Sequence, residues 1–93
     1  MREREVEAAL VKAVKDRNGM ALKFVSPGLS GVPDRIVLLP HGRLAFVELK
    51  RPGEKMRVLQ EKRKRQLQKL GFLVFCVDSK DEIGGVLDAI QSA

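Results

Sequence analysis

The sequence predicts an α/β protein with a mixed sheet of about four strands flanked by helices, in the order α-β-β-β-α-β-α. Two observations predict this class. Both ends of the chain carry apolar residues at helical spacing, whereas the middle carries short apolar runs separated by Pro and Gly. A length of 93 residues suits one domain, so we expect residues 1–93 to share a single core.

The first predicted elements are a helix over residues 2–18 and a strand over residues 20–25. The apolar residues of the helix fall on one face, and Asn18-Gly19 is a suitable C-terminal stop. That face comprises Val6, Leu10, Ala13 and Val14. A Ser-Pro-Gly break ends the strand, so a loop is expected before the next apolar run.

Residues 32–39 and 43–50 are two apolar runs around Pro40-His41-Gly42, a pattern typical of a β-hairpin. Pro40 suits the second position of a type I turn, and Gly42 suits the left-handed position that closes a three-residue loop. Such a loop pairs the residues on either side of it and thereby determines the register of the whole hairpin.

The C-terminal third predicts a helix, a strand and a helix. Residues 54–70 form the first helix, which ends at Gly71, with an apolar stripe of Met56, Leu59, Leu67 and Leu70. Residues 72–77 form a buried strand, parallel to its neighbour because a helix joins the two. Residues 79–82 match a capping box that opens the last helix, whose inner face is Ile83, Val86, Leu87 and Ile90.

The net charge of +6 comes from one segment of the chain. Residues 50–69 hold nine Lys or Arg and two Glu, giving +7, whereas the remainder carries −1. A concentrated basic segment is the expected footprint of a phosphate backbone, and its plainer interpretation is a solvated helix face. The chain has four Phe and neither Trp nor Tyr, which disfavours proteins that stack bases along a row of rings.

Cys76 is the single cysteine and lies in an apolar run, where it is expected to be a small core residue. One cysteine and one histidine exclude a disulfide framework or a Cys/His zinc site within the chain. We therefore expect an intracellular, cytoplasmic protein. The sequence has neither a signal-peptide pattern nor an apolar run long enough to span a membrane.

The hairpin register brings two acids together. If Leu39 pairs with Arg43, Asp34 lies opposite Glu48 with Cβ atoms about 5 Å apart on one face. Lys50 follows two residues later and shares that face. A two-residue loop would instead move Asp34 to the other face.

Two opposed carboxylates repel unless a cation lies between them, and carboxylate oxygens are ligands that Mg²⁺ or Mn²⁺ accepts. A neighbouring lysine could orient water or offset charge during hydrolysis of a phosphodiester. The plainer alternative makes Asp34 a turn residue and leaves Glu48 and Lys50 as solvent-facing polar positions without a metal.

At these residues the sequence resembles the VRR-NUC (virus-type replication-repair nuclease) domain of the PD-(D/E)xK nuclease superfamily, which has a restriction-endonuclease-like core. The matching segments, in chain order, are Ser30-Gly-Val-Pro-Asp34, Phe46-Val-Glu-Leu-Lys-Arg-Pro-Gly53, Leu59-Gln60 and Leu70-Gly-Phe-Leu-Val-Phe75. The resemblance covers nearly the whole chain. It implies a metal-dependent endonuclease. The resemblance is to phage-type members that consist of this domain alone, and it therefore also implies a homodimer that acts on branched DNA such as Holliday junctions.

The resemblance also implies roles for individual residues. Asp34, Glu48 and the backbone carbonyl of Leu49 would bind the metal, Lys50 would be the catalytic lysine, and Gln60 would position water or a phosphate. A glutamate of the first helix would complete the site. Glu3 matches the family spacing better, whereas Glu7 is safer from fraying of the helix end.

Contacts with DNA are expected from basic and polar residues around this site, namely Arg51, Lys55, Arg57, Lys62, Arg63, Lys23 and Ser30. An alternative function is a catalytically silent module that holds DNA through the basic segment of residues 50–69. A restriction-type enzyme is a weaker alternative, because readout of bases needs a recognition element for which 93 residues leave little room.

Overall fold

A computed structural model describes residues 2–93 and confirms the predicted fold class. The elements, in chain order, are α1 (Glu3–Asp16), β1 (Met20–Lys23), β2 (Arg35–Leu39), β3 (Arg43–Leu49), α2 (Val58–Lys69), β4 (Leu73–Val77), a 3₁₀ turn (Lys80–Glu82) and α3 (Ile83–Ser92). The four strands form one sheet in the order β1-β2-β3-β4. The β1–β2 and β2–β3 pairs are antiparallel, and the β3–β4 pair is parallel.

Helix α1 is shaped by its apolar stripe and by the chain reversal after it. Val6, Leu10 and Val14 are fully buried, as the helical spacing predicts. Asn18 adopts a left-handed φ of 63°, and its N–H donates to the Lys15 carbonyl at 2.9 Å. The helix therefore ends at Asp16, two residues before the predicted stop, because residues 17 and 18 form the C-terminal cap instead of continuing the helix.

The hydrophobic core lies on one face of the sheet, where α1 and α3 pack. Alternate residues of the strands point into it, as the two-residue period of a β-strand requires. The strand residues of this core are Val37, Leu39, Ala45, Val47, Leu49 and Val77, and α3 adds Ile83, Leu87 and Ile90. The opposite face of the sheet is covered by α2 and carries the polar residues described below.

The β2–β3 hairpin has the predicted register but a different turn. Leu39 pairs with Arg43 and Arg35 pairs with Val47, which confirms the three-residue loop. His41 has a φ of 69°, whereas a type I turn requires a negative φ at that position. The predicted type I turn is therefore wrong, and the loop is closed by two successive left-handed residues, His41 and Gly42.

Helix α2 is shorter and more exposed than predicted. It begins at Val58 rather than at residue 54, because the Gln60 side chain accepts a hydrogen bond from the Arg57 N–H at 2.9 Å and closes the helix start there. None of its side chains is buried, and Leu59 and Leu70 of the predicted stripe are 40% and 73% exposed. The stripe is therefore only partly used in the fold.

The other boundaries differ by up to three residues, the largest difference being the start of β2, at Arg35 rather than at residue 32. β1 ends at Lys23 rather than at residue 25, and β4 begins at Leu73 rather than at residue 72. Ser79 accepts a hydrogen bond from the Asp81 N–H at 3.2 Å, so the predicted cap opens a 3₁₀ turn that leads into α3. Within residues 2–93, no helix combines the length and apolarity needed to cross a bilayer.

Candidate active site

The second face of the sheet brings the predicted acid pair and lysine together. Because Arg35 pairs with Val47, the next step of the ladder sets Asp34 beside Glu48. Glu48 also pairs with Cys76 of β4, and paired residues of parallel strands share a face. Lys50 follows Glu48 by two residues and lies on the same side, so one surface holds both acids and the amine.

Glu48 is a buried carboxylate that the protein leaves largely unsatisfied. Its side chain is 1% exposed, and neither Oε1 nor Oε2 has a hydrogen-bond partner within residues 2–93. The Lys50 Nζ lies 3.5 Å from Oε2, and the Lys50 side chain is 7% exposed. Buried polar atoms are almost always hydrogen-bonded, so two bare carboxylate oxygens indicate a position that expects another ligand.

The charge state of Glu48 reflects this environment. Burial, reinforced by the negative charge of Asp34, raises the pKa of the Glu48 carboxyl to about 7. The ammonium of Lys50 opposes the rise without cancelling it. The apo site therefore holds a proton below neutral pH, and a cation would compete with that proton for the same oxygens.

Asp34 is held in place by backbone groups of two strands. Its Oδ2 accepts a hydrogen bond from the Leu49 N–H at 2.8 Å, and its backbone carbonyl accepts one from the Phe24 N–H at 2.9 Å. The carboxyl thus bridges from the start of β2 to the end of β3, next to Glu48. A side chain anchored at one oxygen keeps its other oxygen available to a ligand.

The donor set fits a hard divalent cation. Residues 2–93 contain no group of three or more His, Cys, Asp or Glu arranged around one point, so the acids present are a pair. The bare oxygens of Glu48 and the free oxygen of Asp34 are the oxygen donors that Mg²⁺ and Mn²⁺ prefer, with water and backbone carbonyl completing such shells. The Leu49 carbonyl remains the predicted third ligand.

The structure separates the two candidate glutamates of α1. Glu7 Oε2 accepts a hydrogen bond from the Arg35 Nε at 2.9 Å, which forms a partly buried ion pair. Glu3 is exposed and makes no such pair; partial burial and then the charge of Asp34 raise the pKa of its carboxyl. Glu7 therefore ties α1 to β2, and Glu3 stays a predicted site residue that is not engaged in an ion pair within residues 2–93.

Gln60 has a structural task at the start of α2. Its Oε1 accepts from the Arg57 N–H, and the half-buried side chain lies on the sheet-facing side of the helix. The amide nitrogen is left as a donor for water or a phosphate oxygen. Arg57, predicted to contact DNA, is both the N-cap of α2 and exposed.

The predicted DNA-binding residues fall into free and tethered groups. Arg63 donates from Nε to the Ser30 carbonyl at 2.7 Å and so joins α2 to the loop before Asp34. Arg51 lies 3.7 Å from Glu54 in an exposed ion pair. The remaining cations are exposed, namely Lys23, Lys55, Arg57 and Lys62.

Two residues near the site were missed by sequence reasoning. Arg35 was not singled out. The available signal was its position directly after Asp34, together with the glutamates of α1, one of which (Glu7) is its ion-pair partner. Lys64 is half-buried one helical turn after Gln60, on the sheet-facing side of α2. The four-residue spacing from Gln60 was the available signal, and the run of four basic residues around Lys64 obscured it.

An acid pair and a lysine on one face of a mixed sheet, with helices on both sides, define a nuclease domain of the PD-(D/E)xK class. No protein-family model matches the chain. It is 46% identical over 91 residues to the protein named "Putative nuclease p44" of Acyrthosiphon pisum secondary endosymbiont phage 1, covering 98% of this chain and 97% of that one. A solved structure described as a VRR_NUC domain superposes with a TM-score of 0.86 at 29% identity, over 92% of this chain and 94% of the other. The chain belongs to the VRR-NUC nuclease family.

Proposed function

We propose that this nuclease is a metal-dependent, structure-selective endonuclease that cuts phosphodiester bonds in branched DNA, such as Holliday junctions, during phage replication or repair. The observation that carries the proposal is the buried Glu48 carboxylate, which lies beside Asp34 and Lys50 with both oxygens bare. A protein that only held DNA would gain nothing from this arrangement, because an unsatisfied buried carboxylate costs stability.

The roles follow from the positions of the side chains. Asp34 and Glu48, with the Leu49 carbonyl, would hold Mg²⁺ or Mn²⁺, and the bound ion would supply Lewis-acid activation of a phosphate oxygen and of water. Lys50 is buried and points at Glu48, so its ammonium orients the attacking water and offsets negative charge on the phosphate.

Two further side chains are assigned to this site. Glu3 is the acid contributed by the first helix, because the carboxylate of the alternative, Glu7, is already bound by Arg35. Gln60 offers its amide N–H to water or phosphate while its oxygen caps α2. The chemistry needs no Ser, Cys or His nucleophile.

DNA reaches the site across the basic side of the molecule. The exposed cations Arg51, Lys55, Arg57 and Lys62 follow β3 or lie on α2, and Lys23 lies on β1. The hydrogen bond from Arg63 to the Ser30 carbonyl joins α2 to the loop before Asp34. Contacts of this kind go to phosphates and position the duplex without reading its sequence.

We further propose that the enzyme works as a homodimer. Cutting both strands of a junction requires two active sites, and one chain supplies one. An apolar groove of about 460 Å³ between α2 and the loop before Asp34 supports this, because Phe24, Leu29, Leu67 and Leu70 line it. Leu29 and Leu70 are 45% and 73% exposed, and apolar patches of this sort mark protein contacts.

The test is cleavage of labelled linear duplex, flap and four-way junction DNA, with Mg²⁺, with Mn²⁺ and with chelator. We expect metal-dependent internal cuts near the branch and none by Glu48→Gln. Binding without cutting under every metal condition would instead identify a catalytically silent DNA-binding module. Sedimentation of wild-type protein and of Leu70→Lys tests the homodimer separately.

The protein is expected to act inside a bacterial or phage-infected cell, where branched DNA forms. The phage origin of the relative named as a nuclease supports this location. The whole of residues 1–93 is proposed to be one nuclease domain, in keeping with the 97% coverage of that relative.

A further inference from the structure

Lys64 is a half-buried cation of α2 for which no side-chain hydrogen bond or ion pair is found within residues 2–93. Gln60, one turn earlier, and Arg63, whose guanidinium donates to the Ser30 carbonyl, are half-buried as well, whereas Lys62 and Arg65 are exposed. A spacing of four residues puts Lys64 and Gln60 on the same side of the helix. Because α2 packs on β4, this half-buried side is the side of the helix that is turned toward the sheet.

The sheet register connects Lys64 to the acid pair. Cys76 of β4 pairs with Glu48 and shares its face. Helix α2 packs against β4, and Lys64 lies on the half-buried side of that helix. Lys64 thus contributes positive charge to the same surface as the two acids, from the helix side.

Lys64 lacks a carboxylate partner. Five ion pairs join side chains of residues 2–93, and none includes Lys64. Lys50, the other cation of this surface, is already held 3.5 Å from Glu48. A lysine that packs its aliphatic stem on the protein and has no internal carboxylate partner keeps its ammonium available to an anion from outside.

We propose that Lys64 is a phosphate-binding residue of the active site, whose ammonium holds one non-bridging oxygen of the DNA backbone beside the acid pair. The inference rests on the proposed nuclease function for its substrate. It distinguishes Lys64 from the exposed cations of α2, which attract the duplex as a whole. Lys64 instead contacts a single phosphate and positions the strand for cutting.

The test is a methylphosphonate scan, in which single phosphates of the DNA are replaced by neutral analogues. Binding is measured without divalent metal, so the result does not depend on cleavage. At one phosphate position, wild-type protein should lose affinity about tenfold, as expected for a lost charge-assisted hydrogen bond. Lys64→Met should lose nothing further at that position, because the contact is already absent.

Lys62→Met is the matched control, since it removes the same charge from the exposed side of the same helix. It should bind every DNA more weakly yet stay sensitive to the methylphosphonate that Lys64→Met ignores. Lys64→Arg should recover most of the sensitivity. Equal sensitivity of wild type and Lys64→Met at all positions, with melting curves showing both folded, would overturn the assignment. Failure of the wild type to cut any DNA would overturn the nuclease proposal alone.

Discussion

The Glu48 Oε2 lies 3.5 Å from the Lys50 Nζ, and both side chains are more than nine-tenths buried. At that separation the ammonium partly neutralises the carboxylate without satisfying it, because no hydrogen bond reaches either oxygen. A buried acid in this state is costly to the apo protein and ready for a cation. The first two predictions follow from this relationship.

The first prediction concerns stability and pH. The Glu48 carboxyl has a pKa of about 7 in the folded protein against an ordinary 4.5, so the folded state holds a proton that the unfolded state has lost. The free energy of unfolding should therefore fall as pH rises from about 4.5 to about 7, by on the order of 3 kcal/mol. Urea unfolding with chelator at pH 5, 6, 7 and 8 measures the decline.

Glu48→Gln supplies the control, because an amide does not titrate. Its unfolding free energy should lack this decline, whereas Glu5→Gln, which removes an exposed carboxylate of α1, should retain it. The same slope in wild type and Glu48→Gln would contradict the assignment.

The second prediction concerns metal binding and pH. A cation must displace the proton of Glu48, so Mn²⁺ affinity should rise by up to about tenfold per pH unit below pH 7 and level off above it. Calorimetry in two buffers of different ionisation enthalpy should detect close to one proton released per ion at pH 6. Asp34→Asn should weaken binding at every pH. An affinity that does not vary between pH 5.5 and 7 would contradict this.

The third prediction separates the two glutamates of α1. Glu7→Gln removes the charged partner of Arg35 and should lower the free energy of unfolding by about 1–3 kcal/mol, since a partly buried charge-assisted bond is lost. Glu3→Gln should leave stability nearly unchanged and lower the rate of single-turnover cleavage. Stability and cleavage are measured on both variants. A stability loss in Glu3→Gln matching that of Glu7→Gln would place Glu3 in the scaffold.

The fourth prediction concerns the contact between the Asp34 loop and α2. Gly31 has a φ of 83°, and a Cβ there would lie 2.8 Å from Leu59 Cγ and 3.0 Å from the Leu59 carbonyl oxygen. Gly31→Ala should destabilise by about 2–4 kcal/mol, from backbone strain and overpacking together. Because Leu59 precedes Gln60, the substitution should also slow cleavage by shifting α2.

Gly53→Ala is the matched control for that contact. Gly53 has a φ of 81° but open space around its Cβ position, so only the strain of about 1–2 kcal/mol applies. Urea unfolding of both variants gives the difference that the close approach contributes. Equal losses at the two glycines would show that the loop and α2 adjust freely.

Much of the fold was predictable because its determinants are local. The α1 stripe buries Val6, Leu10 and Val14 as its spacing indicates, and Leu39 pairs with Arg43 as the loop length indicates. The start of α2 was misplaced, since helix-forming residues continue back to 54 and only the Gln60 bond to the Arg57 N–H stops them. The predicted turn type was also wrong. The hairpin register determines the length of the loop but leaves the φ of His41 undetermined.

The sequence by itself determined which residues share a surface: the period of two along a strand and the length of the hairpin loop put Asp34, Glu48 and Lys50 on one face. Only the tertiary structure decided how deeply they are buried and which neighbours they meet. The bare oxygens of Glu48, the capture of Glu7 by Arg35 and the inward position of Lys64 each depend on packing between elements distant in the chain. Burial and long-range contacts determine charge energetics in proteins, and no local pattern encodes them.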